Sequence, residues 1–202
     1  MARAAGSDRL SRRQLVQGAG SAITGKRLQL ITETASGISR VAVLWNTDNS
    51  AKVLELRETE GAARTLGVQL DAWAVRSRDD FQAAFAAITG QHPDALVVLQ
   101  DPLTGAYRAG IADFARQNGL LSIAESREFA EAGLLMSYGP DLLDLSRRAA
   151  TYVDKILKGA KAADLPIEQP MTFDFIVNMK TAQALGITFP HEIMLQATEV
   201  IQ

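Results

Sequence analysis

No cysteine occurs anywhere in the 202 residues, which removes disulfides, thiolate metal sites and cysteine nucleophiles from consideration. The compartment stays open, because many exported bacterial proteins also lack cysteine. Histidine is scarce as well. His92 and His191 both adjoin prolines, a setting of exposed turns rather than of acid-base chemistry. No apolar run reaches the roughly eighteen residues that a membrane-spanning helix needs. The formal charge of -2 and the lack of any long basic run exclude the electrostatic footprint of a nucleic-acid or membrane-surface protein. Nucleotide and hydrolase fingerprints are missing too: no G-x-G-x-x-G follows the first strand, and neither G-x-x-x-x-G-K-[ST] nor G-x-S-x-G appears.

What is present is a chain that is 47% apolar and long enough for one well-buried domain. From Arg40 onward, short apolar runs alternate with longer segments of helical period. RVAVLW (40–45), VQLDAWAV (68–75), DALVVLQ (94–100), LLSIA (120–124) and GLLMSY (133–138) predict five strands, and the first is apolar on both faces, as a buried parallel strand must be. Between them, Val53, Leu56, Ala63 and Leu66 mark one helix ended by Gly67. Phe81, Ala84, Phe85 and Ile88 mark a second, with Ser77 and Asp80 in a capping-box pattern, and a third runs from about Thr104. This alternation predicts an α/β fold with a doubly wound, mostly parallel sheet. A long helix follows, capped by Asp141 or Asp144, with Leu145, Ala149, Val153 and Ile156 on one stripe. Beyond it, FDFIV (173–177) and MLQATEVI (194–201) read as strands, in pieces packed on the sheet or swinging away from it.

In an open parallel sheet, ligands bind outside the carboxyl ends of the strands. That rule selects Asn46 and Asp48 after the first strand, Asp101 and Thr104 after the third, Ser126 and Glu128 after the fourth, and Tyr138 and Asp141 after the fifth. Helix-start amides suit a carboxylate and the acids suit an ammonium, so the group suits a zwitterion such as an amino acid. Each residue also has a plain structural role: Asn46, Thr104 and Asp141 as helix caps, Asp101 as a turn former, Tyr138 as part of the core. A small α/β enzyme working through Asp48 and Asp101 is a rival reading, and a stand-alone sensor or interaction domain is another.

The runs RVAVLWN, DALVVLQDPL, GLLMSYGPDLLDLSRRAATYVDKILKGAKAADLP and FDFIVNMKTAQALGI resemble the ABC transporter substrate-binding family that includes the tryptophan/tyrosine-type binding proteins, over about residues 24–202. The resemblance implies one lobe of a type I periplasmic-binding-protein fold plus C-terminal crossover segments. It also implies capture of a small molecule for an ABC permease, with no catalysis, cofactor, metal or nucleic acid. The ligand-binding residues it carries over are Asn46, Asp101, Ser126, Glu128 and Tyr138. Family members have a further N-terminal lobe before the stretch matching TGKRLQLITE. The expectation is therefore a truncated protein with impaired binding, and with an interlobe surface open to homodimerisation. The expected divisions are a signal-like, irregular segment 1–23, an α/β lobe 24–145 and C-terminal elements 146–202. Periplasmic residence follows from the resemblance. S-R-R-Q-L-V looks like a twin-arginine address, but the apolar stretch after it is too short for a complete signal, which speaks against export.

Overall fold

The computed structural model describes residues 12–166 and 168–202, with side chains from residue 23 onward. Helix α1 (Arg12–Thr34) leads into β1 (Arg40–Asn46), α2 (Ser50–Leu66), β2 (Gln69–Val75), α3 (Asp80–Gln91) and β3 (Ala95–Val98). Then come α4 (Pro102–Ala106), α5 (Arg108–Gln117), β4 (Leu121–Ala124), α6 (Arg127–Glu131), β5 (Met136–Pro140) and α7 (Leu142–Leu157). A 3-10 turn (Ala162–Asp164), β6 (Phe173–Asn178), α8 (Met179–Leu185), α9 (His191–Gln196) and β7 (Glu199–Ile201) complete the chain. One seven-stranded sheet has the order β2-β1-β3-β4-β5-β6-β7. All pairs are parallel except β5 with β6. The α/β class and mostly parallel sheet read from the sequence are those observed.

The sheet is covered on both faces because side chains alternate along each strand. Val41 and Val43 of β1 join Leu28 and Ile31 of α1, Leu56 of α2, Ala182 of α8 and Ile193 of α9 in one core layer. Ala42 and Leu44, one residue out of phase, join Phe81, Phe85, Ile111 and Phe129 from α3, α5 and α6 in the other. In that layer Phe85 stacks on Phe114 with centroids 4.1 Å apart.

Several expectations need correction. Residues 12–23 are helical and continue into the helix expected from Thr24, whereas the signal-like reading of residues 1–11 lies outside the described residues. The third helix is two, α4 and α5, meeting at Tyr107. Of the Ser77–Asp80 capping box only the backward half forms: Asp80, first residue of α3, accepts from the Ser77 amide at 3.0 Å and from the Arg76 amide at 2.7 Å, and the helix start has no side-chain cap. Leu66 is 40% exposed rather than part of the buried stripe of α2, where Thr59 is buried instead. MLQATEVI is split: its first residues close α9 and its last form β7. β6 and β7 extend the main sheet, so the C-terminal elements are largely integral to it, while α7 has no buried residue.

Candidate functional site

The carboxyl ends of β1, β3 and β4 open into a cavity of about 560 Å³. Gln100 and Asp101 form its floor on the β3 side, and Asp101 is set there by its role in starting α4. Its Oδ1 accepts from the Thr104 amide at 2.9 Å, and its own amide donates to Thr104 Oγ1 at 2.9 Å, a reciprocal capping box with Pro102 at the first helical turn. The second oxygen, Oδ2, accepts from Asn46 Nδ2 at 2.5 Å. Asn46 Oδ1 in turn accepts from the Asp48 amide at 3.0 Å. Asn46 and Asp101 therefore tie the ends of neighbouring strands together, and Asp101, only 8% exposed, has both oxygens engaged. The capping role and the strand-end position hold at once.

Across the cavity stand Glu125, Ser126 and Glu128. Ser126 precedes α6 and is buried, and Glu128 is exposed in its first turn. Ser126 foremost, then the backbone amide of Glu128 itself, lower the Glu128 carboxyl below its ordinary value, with Arg108 and Arg127 adding to the effect, although the buried Ser126 hydroxyl makes no hydrogen bond of ordinary geometry. Glu128 is thus a firm carboxylate at neutral pH. Gly139 of β5 lets the chain pass close by, because a Cβ there would lie 2.3 Å from the Glu125 carbonyl oxygen.

Behind Glu125 lies a mixed-charge cluster that sequence reasoning missed. Arg27 of α1, its side chain 3% exposed, donates to Glu55 Oε1 at 2.9 Å, and Lys52 Nζ reaches Glu55 Oε2 at 2.6 Å. Both cations stand 3.9 Å from Glu125 Oε2. Glu55 holds the pair closely and Glu125 only loosely, and Arg27 Nε and Nη1 have no hydrogen-bond partner. Lys52, Glu125 and Arg108 line the cavity, so its wall carries cations and carboxylates together with the apolar Phe129 and Leu142.

Of the five residues proposed from sequence, Asp101, Ser126 and Glu128 line this cavity, and Asn46 braces it through Asp101. Tyr138 is placed elsewhere: it stacks on Phe173, centroids 5.8 Å apart, and joins the α1-side core layer. Burial raises its pKa, against the opposing charge of Arg27. Lys52 and Arg108 went unselected because they lie inside helices, beyond the loops that the strand-end rule inspects. A second cavity of about 440 Å³ adjoins the first through Glu125, Glu128 and Leu142 and is bordered by Asp141, Asp174 and Glu199. Burial foremost, then the Asp141 carboxylate, raises the Asp174 pKa. Among the described residues no cluster of three or more His, Asp or Glu is placed to hold a metal.

A parallel sheet with an open cavity at its strand ends is the doubly wound α/β arrangement, and likeness to solved structures narrows it to the periplasmic-binding-protein class of fold. Solved structures bear this out. The ABC domain of a Streptococcus pneumoniae protein, in complex with L-Trp, superposes with a TM-score of 0.82 at 23% identity, covering 89% of this chain and 60% of that one. A conserved domain protein of Vibrio cholerae gives a TM-score of 0.81 at 24% identity, with 88% and 60% covered. The ligand-free, open form of a Clostridium difficile substrate-binding protein with adhesive properties gives 0.69 at 21%, with 88% and 59% covered. The chain thus spans about 60% of the length of these proteins. It belongs to the ABC transporter substrate-binding protein family, whose model matches residues 14–201. No curated protein sequence matches it.

Proposed function

We propose that the strand-end cavity binds an amino-acid-like zwitterion, as a substrate-binding component that hands its ligand to an ABC permease. The observation that carries this reading is the pairing of opposite charges on the rim: Lys52 and Arg108 suit a carboxylate, and Glu128, held ionised, suits an ammonium. Leu142, half exposed, offers apolar surface at the cavity for a side chain. The L-Trp held by the pneumococcal structure supports the ligand class. A binding role rather than catalysis fits the chemistry, since Asp101, the acid an enzyme of this shape would use, has both oxygens spent on structure.

The cavity is open and its charged walls are partly solvated, so the ligand is desolvated from one side only. Binding by this chain alone is therefore weak, because ordering costs of about 4 kcal/mol or more are offset by few enclosed contacts. Delivery to a permease implies residence outside the cytoplasm, and no described helix is long and apolar enough to cross a membrane.

Equilibrium dialysis with radiolabelled L-leucine and L-tryptophan tests the reading. Glu128→Gln and Lys52→Met should each weaken binding about tenfold, the loss of one charge-assisted hydrogen bond. Equal binding by the wild type and both variants would reject this cavity as the site.

A further inference from the structure

Arg27 is buried without being satisfied. Its side chain is 3% exposed, and Nη2 donates to Glu55 Oε1 at 2.9 Å, but Nε and Nη1 have no hydrogen-bond partner among the described residues. A dry, unpaired N–H on a charged group is costly to retain, and where one persists beside a cavity it points to an acceptor from outside the chain. Nη1 faces Glu125, whose Oε2 stands 3.9 Å away, and Lys52 Nζ is also 3.9 Å from that oxygen. Both separations exceed an N–H to oxygen hydrogen bond by about 1 Å. Glu125 therefore balances these cations in charge without binding either.

Glu125 is placed so that its carboxyl end can leave. A Cβ at Gly139 would stand 2.3 Å from the Glu125 carbonyl oxygen and 2.8 Å from its Cγ, so β5 pins the residue at its base and confines movement to the tip. That tip lies between the two adjoining cavities and lines both. The smaller cavity offers it Arg127, and the larger one presents Lys52 to whatever enters. A ligand carboxylate has two oxygens and no backbone tether. It can approach Lys52 Nζ and the idle Arg27 Nη1 to hydrogen-bond distance together, where charge-assisted bonds are roughly twice as strong as neutral ones. The ion pairs it replaces, long and partly solvated, contribute little.

We infer that Arg27 and Lys52 form a recognition site for a ligand carboxylate, and that Glu125 is its resident occupant, displaced toward Arg127 when the ligand binds. This rests on the reading of the main cavity as the site of an amino-acid-like ligand, and adds to it the groups that select the carboxylate. Glu125 then acts as a brake, since an incoming carboxylate competes with the one already present. An amide in place of the carboxylate gains nothing from the two cations.

Indole-3-propionate, with a carboxylate and no ammonium, and L-tryptophanamide, with an ammonium and no carboxylate, separate the two halves of the site. In NMR titrations of the full chain, Glu125→Gln should lower the Kd for indole-3-propionate about tenfold, the worth of one charge-assisted hydrogen bond, and should not lower that for L-tryptophanamide. The Arg27 Nε–H resonance should shift to saturation along with it. Adding Arg27→Lys, which keeps a cation for Glu55 but removes the second donor, should erase the gain. Lys52→Met added to Glu125→Gln should do the same, and serves if circular dichroism shows the Arg27→Lys chain unfolded. Equal binding of indole-3-propionate by the wild type and Glu125→Gln, or a gain that survives either second substitution, would overturn the inference. If L-tryptophan fails to bind the wild type while Glu125→Gln still gains tenfold for indole-3-propionate, the carboxylate site stands and the amino-acid reading falls.

Discussion

Arg27 is the most deeply buried charged residue among those described. A guanidinium that is 3% exposed has given up its hydration and recovers only part of it, through Glu55, which Lys52 shares. Arg27→Met should cost about 2 kcal/mol by chemical denaturation, because Glu55 loses one charge-assisted hydrogen bond and keeps only that of Lys52. Nothing in T-G-K-R-L-Q-L-I distinguishes this arginine from a solvated one; its burial comes from α1 docking against α2, a tertiary event. Asp94 is the reverse case. It accepts from the Ser39 and Arg40 amides, each at 2.8 Å, and so clips the start of β1 to that of β3. These bonds, the Ser39 amide foremost, hold its pKa below the ordinary carboxylate value. A depressed folded pKa gives stability that is present above the unfolded value and is lost as pH falls through the folded one. Asp94→Asn should therefore lower Tm at pH 7, with the gap to wild type closing in strong acid. Asp174, raised by burial and by Asp141, has the opposite sign: its ionised form is the unfavourable one. Asp174→Asn should raise Tm at pH 7, and the gain should vanish as pH drops below the unfolded carboxylate value.

At the scale of elements, the buried parallel strands were the most legible features. β1 and β3 are apolar on both faces, a pattern that only a doubly covered sheet satisfies. Single-turn helices were not legible. α6 and α9 have too few residues to show a period, and they form because Phe129 and Ile193 find places in the two core layers. The strand-end rule selected Asp101, Ser126 and Glu128, which line the cavity, because helix-start residues and the cavity wall fall in the same loops. It also selected Tyr138, which packs on the α1-side layer because adjacent residues of a strand point to opposite faces. The stripe of α7 was visible in the sequence, but that none of its residues is buried among the described ones is a property of the fold alone. Gly139 marks where β5 passes under the loop after β4. Gly139→Ala should force that backbone apart and cost roughly 1–3 kcal/mol, read as a lower denaturation midpoint, together with altered ligand binding at the neighbouring Glu125.

For the whole molecule, the sheet order places β1, β3 and β4 side by side, and their carboxyl ends gather opposite charges around one open cavity. Weak, one-sided capture of a zwitterion is the function proposed for that geometry. Thermal unfolding should show no shift with micromolar L-tryptophan, because stabilisation scales with ligand concentration over Kd. The most direct test is an NMR titration of the isotopically labelled chain with L-tryptophan and L-leucine up to about 20 mM, high enough to populate a millimolar complex. The account predicts saturable amide shifts centred on Lys52, Gln100, Ser126 and Glu128. Shifts confined to other surfaces, or none at any concentration, would contradict it.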